Sequence, residues 1–342
     1  MMARRDVVVM GASAGGVEAL RTLLGDLPPD FPAAVLVVLH MPPSAHSALP
    51  SILERVCALP VAAAEHGAPL RPGTVTVGVP DHHLMLAGDH LVLSHGPREN
   101  GHRPAVDVLF RSAARAAGPR VVAVVLSGAL DDGTAGMVAV RARGGVGVAQ
   151  DPEDAIYGSM PTQALVVGGA DHSVPVAKMA TLLTELVTEE VDMAGAPEPS
   201  ELMAVETALA DLDADALNRS ERPGTPSGFG CPSCHGSLFT ISEGGMERYR
   251  CRVGHAWSPE ALAAEQSEAL EGALWMALRG LEERAALSLR MGERAARRGH
   301  AHSAESFRQR HDEAQEAALL IRALLQRGYR DADAPSTEVG EA

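Results

Sequence analysis

The chain has 342 residues, of which 46% are hydrophobic but only 3% aromatic, and its formal net charge is −15. A core with so few aromatic rings must be built from Val, Leu and Ala, which favours α/β or helical architecture. The negative charge argues against nucleic acid or an anionic membrane as the main partner. No apolar run reaches the roughly 20 residues that cross a bilayer, so we expect no direct membrane insertion and a cytoplasmic location.

Up to about residue 190, short apolar runs alternate with stretches of helical periodicity. This alternation predicts an α/β fold with a doubly wound, mainly parallel sheet, to which the short strands between residues 74 and 93 add an antiparallel hairpin or meander. The predicted strands are 6–10, 33–39, 74–79, 84–86, 91–93, 121–126 and 146–148, with a further candidate at 165–167. The predicted helices are 17–24, 47–57, 106–117, 135–143 and 176–187.

The first apolar run leads into the glycine-rich turn Gly11-Ala-Ser13-Ala-Gly15-Gly16. The pattern G-x-S-x-G is typical of a nucleophile elbow, in which glycines permit a sharp turn that exposes a serine hydroxyl. Two other interpretations stay open for this segment. Ser13 is a suitable helix cap. A dinucleotide loop is disfavoured, because Ser13 stands where that loop needs glycine and the next strand ends in His40 rather than in a carboxylate.

Three predicted strands end on polar residues suited to catalysis. They lead into Ser13, into His40 and into the segment Ser127-Gly-Ala-Leu-Asp131-Asp132. In parallel sheets such residues gather at the carboxyl edge of the strands. A serine, an imidazole and a carboxylate at one edge are the three groups of a serine hydrolase. Taken singly, His40 is equally typical of a strand-end histidine bonded to backbone, and Asp132 of a helix cap.

Three segments together resemble the signature segments of the CheB-type chemotaxis receptor protein-glutamate methylesterases. They are Gly-Ala-Ser13-Ala-Gly-Gly, Val-Val-Leu-His40-Met-Pro and Leu-Ser-Gly-Ala-Leu-Asp-Asp132-Gly, and residues 103–113 and 149–161 also look like family segments. The resemblance covers residues 5–190 and implies a parallel α/β methylesterase domain. It implies Ser13 as nucleophile, His40 as general base and then acid, and Asp132 as the carboxylate that orients it.

The implied activity is hydrolysis of glutamate methyl esters on chemoreceptors or related signalling proteins, with deamidation of glutamine as a side activity and no cofactor for catalysis. The chain departs from the family pattern at Leu39, where Gln is usual, at Ala129-Leu130, where Met-Gly is usual, and at Ala14, where Thr is common. The resemblance implies the backbone N–H groups of Ala14 and Ala129 as oxyanion donors. The catalytic strand begins by Asp6, so we expect no receiver domain and no control by phosphorylation in cis.

Beyond residue 190 the composition changes, and residues 191–230 are predicted to be a linker with a short helix at 201–212. Cys231-Pro-Ser-Cys234 and Cys251-Arg-Val-Gly-His255 follow, with the spacing of a tetrahedral metal site. We expect a structural zinc in a ribbon over residues 231–257, the alternative being unrelated cysteines. The Pro/Gly-rich segment 218–230 leads us to expect that the ribbon need not lie near Ser13.

Residues 258–330 carry apolar side chains at helical spacing and predict a helical hairpin, followed by a disordered tail at 331–342. The C-terminal module is also a candidate for docking a protein partner, and a non-catalytic signalling adaptor remains the alternative function. Asp81, His82 and His83 are either half of a metal site or, as we favour, a turn with one histidine at the rim of the active site.

Overall fold

The structure is a computed structural model that describes residues 2–44, 47–218 and 224–327. The predicted tail at 331–342 and part of the predicted linker, residues 219–223, lie outside these ranges. The chain divides after Leu262 into two compact units. The first holds the predicted methylesterase domain and the cysteine-rich segment, and the second holds most of the predicted helical hairpin.

The strands of the described residues are short, and seven of the fifteen lie within one residue or two of a predicted apolar run. In chain order they are β1 (Met2–Arg4), β2 (Val7–Ala12), β3 (Ala34–Leu39), β4 (Val61–Ala63), β5 (Val75–Val77), β6 (His83–Ala87), β7 (His90–Ser94), β8 (Val121–Val125), β9 (Val146–Gln150), β10 (His172–Val174), β11 (Glu190–Asp192), β12 (Thr225–Gly230), β13 (Ser237–Glu243), β14 (Met246–Cys251) and β15 (Ala256–Trp257).

The helices lie between these strands and after them. They are α1 (Gly16–Gly25), α2 (Leu49–Glu54), α3 (Val106–Ala117), α4 (Thr134–Ala142), α5 (Ser159–Val166), α6 (Val176–Leu186), α7 (Glu201–Ala210), α8 (Ala214–Asn218), α9 (Pro259–Arg297) and α10 (Ala301–Arg327).

The main sheet is parallel throughout its seven strands, in the order β10-β9-β8-β2-β3-β5-β4. Every residue of β2, β3 and β8 is buried, because helices cover both faces of the sheet. Alternate residues of these strands enter two separate cores, one with α1, α2 and α6 and the other with α3, α4 and α5. The prediction of a doubly wound parallel α/β sheet is confirmed.

Three predictions of local structure are wrong. The strand predicted at 74–79 is not part of an antiparallel meander, because β5 pairs in parallel with β3 and β4, and of the strands within residues 74–93 only β6 and β7 form a hairpin. Residues 165–167 are not a strand, because Leu165 and Val166 end α5, and Val166 is 77% exposed, unlike a strand inside a parallel sheet. The predicted helix at 47–57 is shorter than expected, since α2 runs only from Leu49 to Glu54. The strands β4 and β10 were missed, because three residues are too few to show periodicity.

The cysteine-rich segment forms a four-stranded antiparallel sheet in the order β12-β13-β14-β15. Its small core contains Cys231, Leu238, Tyr249 and Trp257. Part of the segment predicted as a linker is therefore strand β12, which pairs with β13. This sheet belongs to the first unit, together with the parallel sheet.

The second unit contains most of α9 and all of α10, as the helical periodicity predicts. Within it His311 Nδ1 donates to the carbonyl oxygen of Ala285, and Arg322 pairs with Glu282 across the two helices. Small buried residues, among them Ala304 and Ala314, line the contact.

Across the described ranges, we find no helix with both the length and the hydropathy that a membrane span requires.

Candidate active site and cysteine cluster

The three predicted catalytic residues follow the three central strands of the sheet. Ser13 follows β2, His40 follows β3, and Asp132 lies in the loop after β8. These strands are neighbours in the order β8-β2-β3 and run parallel, so their carboxyl ends share one edge. The structure brings all three side chains together there, at the place where ligands bind in doubly wound sheets.

Ser13 lies in a tight turn whose backbone conformation requires glycine. Gly15 adopts a φ of 73°, and a side chain on Gly16 would come within 2.5 Å of the Ala12 side chain. Helix α1 has no side-chain cap, so Ser13 does not act as one. Its hydroxyl instead donates to His40 Nδ1 over 3.1 Å.

His40 links the serine to the carboxylate through its two ring nitrogens. Nε2 lies 2.7 Å from Asp132 Oδ2, while Nδ1 faces Ser13 Oγ. Because Nε2 must carry a hydrogen to donate to Asp132, Nδ1 is left unprotonated in the neutral ring. The geometry therefore selects the tautomer that can accept the serine proton.

Asp132 is buried, and all its close partners are donors. Oδ2 also accepts the N–H of Val106 at 2.7 Å, and Oδ1 accepts the N–H of Asp107 at 3.2 Å and Nδ2 of Asn100 at 3.1 Å. The first two donors are at the N-terminus of α3, whose dipole favours an anion. Burial raises the pKa of Asp132, but the hydrogen bond and charge of His40 outweigh this effect. They hold the pKa of the carboxyl well below its ordinary value.

Two further residues of the site carry no clear signal in the sequence. The His102 ring stacks on His40, with centroids 3.6 Å apart and planes inclined by 14°. Burial, with the charge of His40, lowers the pKa of His102 to about 4, so this ring is neutral near pH 7. Asn100 adopts a φ of 50°, and the Asn100-Gly101 pair is a turn signal that could have marked it.

The loops that bear the predicted oxyanion donors are held against each other. Ser127 Oγ donates to the carbonyl oxygen of Ala14, and Ser127 O accepts the N–H of Ser13. A side chain on Gly128 would come within 2.9 Å of Ser13 Cβ, so only glycine fits beside the serine. In the described part of the chain, the N–H groups of Ala14 and Ala129 have no hydrogen-bond acceptor. Their role as oxyanion donors stays a prediction.

The side chains of the Asp81-His82-His83 segment are not arranged as a metal site. His83 lies in the interior rather than at the rim, where its Nε2 donates to Pro97 O and its Nδ1 accepts from Ala105 N–H. Burial lowers the pKa of His83 to about 4. Arg103 binds Asp81 with two nitrogens and, chiefly through these hydrogen bonds, lowers its pKa to about 2.

Cys231, Cys234, Cys251 and His255 converge in the antiparallel sheet. Their ligand atoms all lie within 4.8 Å of one another, and this is the only such group of metal-binding side chains within the described ranges. Cys251 Sγ is 3.6 Å from Cys234 Sγ and 3.5 Å from His255 Nδ1. Tetrahedral zinc with bonds of about 2.3 Å to sulfur separates its sulfur ligands by about 3.7 Å. The four residues can hold a metal ion.

A buried cluster of charges joins this small sheet to the α/β domain. Arg250 donates to both Glu99 and Glu206, at 2.9 and 3.0 Å, and Arg248 binds Glu206 with two nitrogens. Arg111 of α3 binds Glu99 in the same bidentate way. The expectation that the ribbon need not lie near Ser13 is wrong, because Ala256 O in the ribbon accepts the N–H of Asn100, whose amide donates to Asp132 of the catalytic site.

Known proteins share the α/β part of the chain. Residues 8–183 match the CheB methylesterase family. A protein-glutamate methylesterase/protein-glutamine glutaminase from Burkholderia lata is 41% identical over 184 residues, which are 53% of this chain and 50% of that protein. A protein of the same kind from Methanosarcina mazei is 39% identical over 191 residues, 54% of this chain and 52% of its own length. The chain thus spans about half the length of the curated relatives it matches.

The fold comparison agrees with the sequence comparison. The crystal structure of the Thermotoga maritima CheB methylesterase catalytic domain aligns with a TM-score of 0.52 at 35% identity. The alignment covers 98% of that domain and 53% of this chain. The matched half is the half that contains Ser13, His40 and Asp132. This chain belongs to the CheB methylesterase family.

Proposed function

We propose that this chain is a protein-glutamate methylesterase that uses Ser13, His40 and Asp132 as a catalytic triad. The hydrogen-bonded series from Ser13 Oγ through His40 to the buried Asp132 carboxylate carries the proposal. The names of the relatives supply the substrate class, methyl esters of glutamate side chains on a protein. We propose a signalling protein such as a chemoreceptor as that protein, which is what the resemblance to chemotaxis methylesterases implies.

The geometry suits acyl transfer in two steps. His40 Nδ1 removes the hydroxyl proton as Ser13 Oγ attacks the ester carbonyl, and the ring then gives this proton to the departing methanol. Asp132 holds the ring by Nε2 and stabilises the imidazolium that forms between the two events. A water molecule, deprotonated by the same nitrogen, releases free glutamate and restores Ser13.

The same steps hydrolyse a glutamine amide, with ammonia leaving in place of methanol. The relatives carry both activities in their names, so we propose deamidation as the second activity of the same site. We propose a cytoplasmic setting, in which the four free thiols stay reduced.

The direct test is methanol release from a methylated receptor by the purified chain. Ser13→Ala should abolish it, because no neighbouring group replaces the attacking oxygen. Ser51→Ala, which changes an exposed serine of α2, is the matched control and should retain wild-type turnover. Wild-type turnover by Ser13→Ala would refute Ser13 as the nucleophile, whereas a wild-type chain that releases no methanol would favour the non-catalytic adaptor.

We further propose that Cys231, Cys234, Cys251 and His255 hold one structural zinc ion. Three thiolates and an imidazole complete a tetrahedral shell and leave no open position for catalysis. A metal bound to these sulfur atoms would hold them as thiolates. Metal analysis should find one zinc per chain, and Cys234→Ser should lose it, whereas Cys57→Ser, a thiol outside the cluster, should not.

A further inference from the structure

The segment that follows the metal-binding His255 is bonded to a residue of the active site. Ala256 O accepts the backbone N–H of Asn100 at 2.8 Å, and Ser258 N–H donates to Asn100 Oδ1 at 2.9 Å. Ser258 Oγ also donates to Asp131 Oδ1 at 2.7 Å. These three hydrogen bonds therefore attach the segment to the loop that carries Asn100 and to the loop that carries Asp131 and Asp132.

The amide group of Asn100 faces the catalytic carboxylate. Its Nδ2 carries two hydrogens, one donated to Asp132 Oδ1 at 3.1 Å and the other to Asp107 Oδ2 at 3.0 Å. Both carboxylates are buried, and their mutual repulsion and burial raise the pKa of Asp107. The amide thus separates two carboxyl groups and fixes one oxygen of the group that orients His40.

The metal cluster determines where Ala256 and Ser258 lie. Cys251 ends β14 and His255 directly precedes β15, and the N–H of Cys251 donates to His255 O across the turn between them. A metal bound by both side chains closes this turn and sets the pairing of Arg250 with Ala256. So small a sheet has little core of its own, and metal binding in such modules is linked to folding.

We infer that the metal-loaded ribbon positions Asp132 through Asn100, so that turnover at Ser13 depends on the metal. The inference rests on the proposed esterase function and on the proposed zinc site. Asn100 is a positioning residue, since it touches Asp132 rather than the substrate. The metal has no part in the chemical steps and acts only by holding Ala256 and Ser258 in place.

The test compares full-length variants for kcat, KM and thermal stability. Asn100→Gly removes the amide but tolerates the positive φ, and should lower kcat about 10- to 100-fold with little change in KM, as loss of one hydrogen bond to a charged group does. Cys234→Ser should lower kcat to a similar extent. Cys57→Ser is the control that keeps both metal and turnover.

The double variant is decisive. If the metal acts through Asn100, Asn100→Gly combined with Cys234→Ser should be no slower than Asn100→Gly alone. If the two substitutions lower kcat by factors that multiply, the inference is overturned. The two effects would then be independent losses of stability. Unchanged kcat in a folded, metal-free Cys234→Ser protein would overturn it as well.

A second readout does not need the esterase substrate. In Ser13→Ala protein, the proton on His40 Nε2 that is shared with Asp132 should give a low-field NMR signal. Chelation of the metal should weaken this signal or move it upfield, and added zinc should restore it, while a signal indifferent to metal refutes the coupling. If the signal depends on the metal but the wild-type chain hydrolyses no glutamate methyl ester, the proposed function is refuted and the coupling stands.

Discussion

Replacement of Glu206 by Gln should destabilise the first unit far more than loss of a surface charge does. In the native structure, two buried carboxylates, of Glu99 and Glu206, face the guanidinium groups of Arg111, Arg248 and Arg250. Glu206→Gln leaves three buried cations with one buried anion, Glu99, and with the partly exposed Glu243, which lies 3.6 Å from Arg248. The amide keeps the shape of the side chain, so the change in stability reports charge rather than a cavity.

The magnitude follows from burial. Two unit charges about 4 Å apart attract by about 4 kcal/mol at an effective dielectric constant of 20. Glu206 contacts Arg248 and Arg250 at about 2.9 Å and is fully buried, so solvent screens little of this. Removing one partner of a buried pair typically costs about 3–5 kcal/mol, because the other charge stays buried. At about 2–4 °C per kcal/mol, the melting temperature should fall by about 6–20 °C.

The effect should also depend on pH in one direction. Burial raises the pKa of Glu206, but the charges of Arg248, Arg250 and Arg111 outweigh it and lower the pKa below its ordinary value. A carboxyl with a depressed folded-state pKa stabilises the fold at neutral pH and loses this contribution as pH falls below about 5. The difference between wild type and Glu206→Gln should therefore shrink on acidification.

Calorimetry at pH 7 and at a series of lower pH values measures both effects. Glu189→Gln is the control, since Glu189 is half-exposed and pairs with Arg5 over 3.2 Å, an arrangement worth at most about 1 kcal/mol. A Glu206→Gln protein that melted within 3 °C of Glu189→Gln at pH 7 would refute the stabilising role of the buried charge. A difference between wild type and Glu206→Gln that grew in acid would refute it as well.

Three further outcomes are expected. Asp132→Asn should lower kcat on a methyl ester by about 10⁴-fold, as the equivalent change does in a serine protease, and steady-state kinetics with an unchanged KM would show it. Gly128→Ala should impair turnover because the added methyl group meets Ser13 Cβ and Met160 Sδ, and a crystal structure would show the displaced serine. A chain ending at residue 217 lacks Arg248 and Arg250, so it should melt well below the full chain and lose activity on a small ester; wild-type melting would contradict the role of the charge cluster.

The central part of the fold was accessible from the sequence because its strands are buried on both faces. The runs that became β2, β3 and β8 are continuous stretches of apolar, mostly β-branched residues. Ser13 and His40 directly follow the first two, and the third leads into the loop that carries Asp132. The same period-based reasoning failed at residues 165–167, where an apolar triplet ends a helix. A triplet is too short to distinguish the period of a strand from that of a helix.

The surroundings of the triad could not be predicted in the same way. Asn100 lies 32 positions from Asp132 and 158 from Ser258, and nothing in its local sequence indicates that its amide bonds to both their loops. Its contacts are set by tertiary packing. Glu206 lies in the helix predicted at 201–212 and is fully buried. Its partners Arg248 and Arg250 lie 42 and 44 residues further along the chain, so no local pattern indicates them.

The division between family domain and added region cuts through the charge cluster, and this explains why the two parts pack together. Glu99 and Arg111 lie within the matched residues 8–183 and form a neutral pair by themselves. The added region supplies Arg248 and Arg250 together with two carboxylates, Glu206 and Glu243, the latter 3.6 Å from Arg248, so the complete cluster balances three guanidinium groups with three carboxylates. Burial and the charge of Asp132 raise the pKa of Asp107, and Arg248 opposes this shift only in part. The ribbon therefore reaches the active site through hydrogen bonds, which Ala256 and Ser258 make with Asn100.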